Sequence, residues 1–279
     1  MIDCSEKPKK IKLLDEQSYL IFLNHAPDGI GHTHQAMISD GIDEHYVYAS
    51  LYQPATHPKS LVNEITAYLL ATALNLPVAP HAFIVAASAI QLKAIYPAVI
   101  FSDEESHIPL WCISSLSGSS PKFHYNLHSA HINTAFQADI GAWPQVLDAI
   151  VFDDWLGNGD RNTGNLIRTE KSRYSLIDHE DIIGHRSWRA ERVDPNADIA
   201  NKLAVIMWGG YAINDSKKTN AMIHFADNAM PANISVLQEL VYWWKLLLTP
   251  EELVAAHRFI MKRATICPER IKRRYGSLI

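Results

Sequence analysis

The chain has 279 residues, 48% of them hydrophobic and 20% charged, which suits one large globular domain or two small ones and excludes disordered and collagen-like classes. Its formal net charge of -5 offers no basic face, so direct nucleic-acid binding is not expected. Cys4, Cys112 and Cys267 are odd in number, far apart and free of any CxxC pair, which argues for a reduced, cytoplasmic setting.

The N-terminal MIDCSEKPKKIKLLDE is basic but has no apolar core behind it, unlike a secretory leader. Residues 18–23 (SYLIFL), 35–38 (QAMI) and 44–52 (EHYVYASLY) are rich in aromatic and branched side chains and predict strands. Asp40-Gly41 between the last two predicts a hairpin. A helix follows over 61–74, with Ser60 as N-cap and Leu61, Ile65, Tyr68, Leu69 and Ala73 at helical spacing; Pro77 and Pro80 end it. Residues 81–87 and 107–116 read as further strands, and the loop SGSSPK closes this part.

The remainder is mostly helical. Pro144 suits the first turn of a helix running to about Leu156. Late helices are expected over 234–248 and 251–264, the second opened by a Thr249/Glu252 capping box. The apolar stretch 241–248 carries Lys245 and is cut by Pro250, short of the about 20 residues a membrane helix needs, so no membrane partner is expected. Strands first and helices later predict an α+β arrangement with a seam near 116–122. The expected division is a sheet lobe over 1–117, holding helix 61–74, and a helical lobe over 118–279, holding a loop at 157–165.

The chemistry concentrates in 151–184, VFDDWLGNGDRNTGNLIRTEKSRYSLIDHEDIIG. A helix enters a loop dense in Gly, Asn and Asp, and a short hairpin with a turn at TEKS returns the chain to Asp178, beside Asn165. Magnesium takes hard oxygen ligands, usually one or two carboxylates plus substrate phosphates. Asp178 and the Asn165 amide oxygen are such ligands, and Asp160 can orient an attacking hydroxyl or take its proton. Of Asp153 and Asp154 on the preceding helix, one is expected to bond the loop and the other to be exposed. The sequence has no HExxH, and its scattered histidines argue only weakly for a zinc hydrolase.

An Asp, an Asn five positions later and a second Asp beyond a short hairpin is the protein-kinase order. The version here, DWLGNGDRNTGN followed by LIDH, resembles the HipA-like kinases and their phosphatidylinositol-kinase relatives. The resemblance implies a two-lobed protein-kinase-like fold of class α+β, with an N-terminal antiparallel sheet lobe and a mostly helical C-terminal lobe. It implies ATP and Mg²⁺, with Asp160 as base, Asn165 and Asp178 as magnesium ligands, and His179 where protein kinases carry the Phe of DFG. It also implies a phosphate-binding loop at GIGHTH, with Gly31 and Thr33, a helix glutamate at Glu64, and an adenine-reading hinge at 112–115, with Ser114. Arg161 is a candidate phosphate contact or a brace for Asp160.

The family's strand lysine would stand near Tyr48 or Ala49, where neither residue can replace it; Lys59 is the candidate substitute. The implied activity is transfer of the ATP γ-phosphate to a protein Ser or Thr, or to a small molecule or lipid headgroup. The alternative is a pseudokinase that binds a partner, such as an antitoxin or regulatory protein in a toxin–antitoxin or phage-linked system. Arg186, Arg189 and Arg192 occupy the activation-segment position, as either a solvated basic loop or a site for an acidic group.

Overall fold

A computed structural model describes residues 10–26, 32–53, 55–101, 106–127, 133–209, 213 and 215–276. The chain divides into two compact units. Among the described residues one takes 10–61 and 79–116, and the other takes 62–78 together with everything from 117 onward. One boundary between the two units lies at Leu116.

The first unit is a six-stranded sheet ordered β1-β5-β6-β4-β3-β2. Its strands are β1 (Ile11–Leu14), β2 (Tyr19–His25), β3 (His32–Ser39), β4 (Glu44–Leu51), β5 (Ala82–Ser88) and β6 (His107–Ser114). The Asp40-Gly41 hairpin forms as expected, with Ser39 opposite Glu44 and Asp40 accepting at its carboxylate from the backbone of Ile42 and Asp43. Gly41 adopts a φ of 85°, the left-handed region where glycine carries no steric cost.

The sheet is mixed rather than antiparallel throughout, because β1 pairs with β5 in parallel. A parallel pair needs a long crossover, and here the chain between them builds β2, β3, β4 and the first helix. One sheet face buries Ala36, Ile38, Val47, Ala49, Leu51, Phe83 and Val85, closed off by Leu92 of α2 (Ala89–Ile95). Inside this core His34 bridges two tyrosines, Nε2 to the Tyr19 hydroxyl and Nδ1 to the Tyr96 hydroxyl, both at 2.9 Å.

α1 (Ser60–Ala73) lies one residue from its expected bounds. From Val62 onward it belongs to the helical unit, not to the sheet unit. The reason is in its polar anchors: Thr66 accepts from the Trp244 indole at 2.9 Å, and Asn63 accepts from the Trp188 indole at 3.0 Å. A helix with so few charges is buried nearly all round.

The helical unit continues with α3 (Pro121–His124), α4 (Thr134–Gly141), α5 (Val146–Leu156), the hairpin β7 (Leu166–Glu170) and β8 (Arg173–Leu176), α6 (Lys202–Trp208), α7 (Ser216–Ala226), α8 (Ala229–Leu247) and α9 (Pro250–Tyr275). The predicted capping box opens α9: Thr249 accepts from the Glu252 backbone, and Glu252 accepts from the Thr249 backbone. α9 then runs past its expected end at Ala264 and through Pro268. Its last turns carry Arg270 and Arg274, both paired with Asp154, and this attachment compensates the bond the proline removes. Among the described residues, no helix is long and apolar enough to cross a membrane.

Candidate functional site

The site grows out of the end of α5. Gly157 caps that helix in the left-handed conformation, φ 63°, and a Cβ there would meet the Ile199 side chain at 2.7 Å. Only glycine suits both demands. Asn158 then turns back on the helix, its amide donating to Asp153 at 3.0 Å, and its own carbonyl oxygen Oδ1 accepts from the Asp160 backbone at 2.9 Å.

Arg161 is fully buried beneath this loop. It pairs with Asp153 at 3.2 Å and donates to the carbonyls of Asn165 (2.9 Å) and Ile177 (2.5 Å). It therefore braces the loop to the hairpin, with its guanidinium occupied by these partners. Asp153 is the loop-bonding member of the Asp153-Asp154 pair, as expected. Asp154 corrects the other half of that expectation: it is 2% exposed, not solvated, and it gathers Arg263, Arg270 and Arg274 of α9.

Asp160 and Asn165 are joined directly. The Asn165 amide donates to the Asp160 carbonyl at 2.8 Å and lies 3.4 Å from its carboxylate Oδ2. Asn162 also donates to that carboxylate at 3.2 Å, and its own Oδ1 accepts from the Gly164 backbone at 2.7 Å, which tightens the turn. The second oxygen of Asp160 meets the Lys202 ammonium at the start of α6.

The β7–β8 hairpin returns the chain to this point. Leu166 stands opposite Leu176, and the Ile177 backbone donates to the Asn165 carbonyl at 3.3 Å, so Asp178 follows directly on a residue bonded to Asn165. The far end of the hairpin is fixed by Asp139. Burial would raise this carboxyl, but Arg168 and the Tyr174, Tyr125 and Ser172 donors hold it well below the usual range. Ser172 at the turn also donates its backbone N–H to Asp139 at 2.9 Å.

Asp178 has a φ of 56°, a left-handed conformation that aspartate tolerates better than most side chains. Burial, then the nearby charge of Glu64, pushes its carboxyl up to about 7, with Asp160 adding to the rise and Arg161 and Arg186 opposing it. Among the described residues no hydrogen bond or ion pair reaches that carboxylate. A half-buried acid amid other acids, without a contacting cation, suits a divalent metal. The Asn165 amide, which uses its nitrogen on Asp160, presents its oxygen as a second hard donor of the kind magnesium takes. Both residues therefore fit Mg²⁺.

Glu64 of α1 holds the next residue. Its carboxylate accepts from the His179 backbone at 2.7 Å and lies 3.5 Å from His179 Nδ1. Burial, then Arg161, keeps His179 neutral, well below its ordinary pKa, and its ring stands edge-on to Phe152. Asn63 donates to the carbonyls of Glu180 and Ile182. Arg186 pairs with Glu180 and Asp181, while Arg189 and Arg192 are exposed.

The other expected nucleotide contacts fall in the sheet unit. Thr33 bonds Ser50 across β3 and β4 at 3.0 Å. Ser114, at the end of β6, donates to the His81 carbonyl at 3.2 Å. Lys59 is buried. Gly31 and residues 27–30 of the glycine loop lie outside the described residues. At the positions expected for a strand lysine, the Tyr48 hydroxyl accepts from Gln35 and Ala49 is fully buried. Lys202 was not among the residues singled out in the sequence. It lies 42 positions after Asp160, and its only local signal is the helix-capping Asn201 before it.

No protein-family profile and no curated protein matches the chain. Among solved structures it is similar to the crystal structure of the Helicobacter pylori proinflammatory kinase CtkA, with a TM-score of 0.56 and 12% sequence identity, over 94% of this chain and 98% of that one. This likeness, with the six-stranded mixed sheet and the helical unit, shows that the fold is kinase-like and of class α+β.

Proposed function

We propose that the chain is an ATP- and Mg²⁺-dependent phosphotransferase of HipA-like type that phosphorylates a hydroxyl, on a protein Ser or Thr. The observation that carries this reading is the meeting of Asp160, Asn165 and Asp178: the Asn165 amide is bonded to Asp160, and the hairpin returns Asp178 to Asn165. The kinase-like fold supports it.

In this reading Asn165 and Asp178 hold Mg²⁺, which when bound offsets charge on the phosphates. Asp160 orients the acceptor hydroxyl and takes its proton as the oxygen attacks. The Asn165 amide fixes the Asp160 backbone, and Arg161 fixes the loop beneath both. Glu64 holds His179, and so the chain immediately after Asp178. Gly31, Thr33, Lys59 and Ser114 are the proposed nucleotide contacts of the sheet unit. Catalysis by such a site is positioning and electrostatics. A cytoplasmic setting and a protein substrate belong to the same proposal.

One observation favours a second reading. Tyr48 and Ala49 leave β4 without a phosphate-binding lysine, as in a pseudokinase that grips a nucleotide or a partner such as an antitoxin. Radiolabelled ATP with Mg²⁺ separates the two. Transfer by the native protein, lost in both Asp160→Ala and Asp178→Ala, supports the enzyme. A thermal shift with Mg-ATP but no transfer supports the binding module. Neither transfer nor a shift defeats both nucleotide readings.

A further inference from the structure

We propose that Lys202 is a phosphate-contacting cation of this site, acting on the phosphoryl group in transfer beside Asp160. The inference rests on the phosphotransfer reading above and names a residue for it. Three arginines of the helical unit near the site are committed: Arg161 is fully buried on Asp153 and two carbonyls, Arg168 is tied to Asp139, and Arg186 is tied to Glu180 and Asp181. Lys202 differs. Its side chain is 49% exposed, and its ammonium touches only the Asp160 carboxylate among the described residues.

Its place is built rather than incidental. Asn201, 1% exposed, caps α6 by accepting from the Ala204 backbone at 3.0 Å, and its amide donates to the Ile150 carbonyl of α5 at 2.8 Å. The segment before it lies against the loop: positions beside Gly157 and Gly159 are closed by Ile199. The helix that leads into the catalytic loop thus also fixes the root of Lys202.

An ammonium has three N–H donors. One bond to Asp160 leaves two for phosphoryl oxygens. In the transfer step the acceptor oxygen bonds the γ-phosphorus, the bond from that phosphorus to the β–γ bridging oxygen breaks, ADP leaves with that electron pair, and the hydroxyl proton passes to Asp160. Lys202 gives up no proton. It donates hydrogen bonds to the moving phosphoryl group and keeps Asp160 facing it.

The test uses the full chain with Mg-ATP and compares Lys202→Ala and Lys202→Arg with the native protein in steady-state transfer, together with thermal melts. Lys202→Ala is expected to lower kcat about a hundredfold, with the KM for ATP within about threefold of native and an unchanged melting temperature. Lys202→Arg should recover a large part of kcat. Native kcat in Lys202→Ala overturns the proposal while leaving the phosphotransfer reading intact. A faster Lys202→Ala also overturns it, since the pair would then be a latch. A native protein that transfers no phosphate removes the phosphotransfer reading, and this role falls with it.

Discussion

The guanidinium of Arg161 and the carboxylate of Asp153 meet at 3.2 Å with neither side chain more than 1% exposed. A buried pair of this kind contributes little net stability against an apolar replacement, but removing one partner strands the other charge. Arg161→Met is therefore expected to cost about 3–5 kcal/mol and to release the carbonyls of Asn165 and Ile177. Urea denaturation should show the loss. Activity should fall even at temperatures where the variant is folded. A stability within experimental error of native would show that the pair does not hold the loop.

Asp178 is a charge the metal-free fold resists. Its folded pKa, about 7, lies above the unfolded value, so its contribution to stability is full below about pH 3.9 and is lost as pH rises through 7. Asp178→Asn should thus melt higher than native at pH 8 without metal. Added Mg²⁺ should raise the native melt and leave the variant where it was, because the ion's carboxylate is gone. Melts at pH 5 and pH 8, with and without Mg²⁺, check both signs.

His34 sets an acid limit for the sheet unit. Burial, then the charge of His25, lowers its pKa to about 4, and both ring nitrogens are engaged by tyrosine hydroxyls. Folding then favours the neutral ring. The stabilisation is whole above about pH 6.5 and is lost as pH falls through 4, by up to about 3 kcal/mol. Denaturant melts across this range should show the fall, and His34→Gln should flatten it while lowering stability at neutral pH.

Gly157 is expected to be intolerant of any side chain. Ala would sit at φ 63° with its Cβ 2.7 Å from Ile199 and 3.0 Å from Phe259. A loss of about 1–3 kcal/mol follows, read as a lower denaturation midpoint. A Gly157→Ala variant as stable as native would mean the loop can move off the Ile199 segment at no cost.

Local chemistry made much of this legible in the sequence. The Asp40-Gly41 turn, the Thr249/Glu252 box and the hairpin between Asn165 and Asp178 each depend on residues a few positions apart. What was hidden depends on distant partners. The four residues of β1 become a strand only against β5, 71 positions on, where Ile11 faces Ala82. Asp154 reads as a surface acid until α9 brings three guanidiniums to it. The run of α9 past Ala264 and through Pro268 goes with an attachment to Asp154 that is not local. Lys202 meets Asp160 by the same kind of long return.

Asp153 and Asp154, adjacent in α5, serve opposite sides: the first holds the loop through Arg161 and Asn158, the second holds the final helix through its arginines. A single peptide unit is thus a double-ended fastening. Tension applied at the far turns of α9 is delivered, one residue along, to the root of the segment that carries Asp160. A chain shortened before Arg263 would leave Asp154 with no counter-charge and loosen the reaction centre without removing any residue from it.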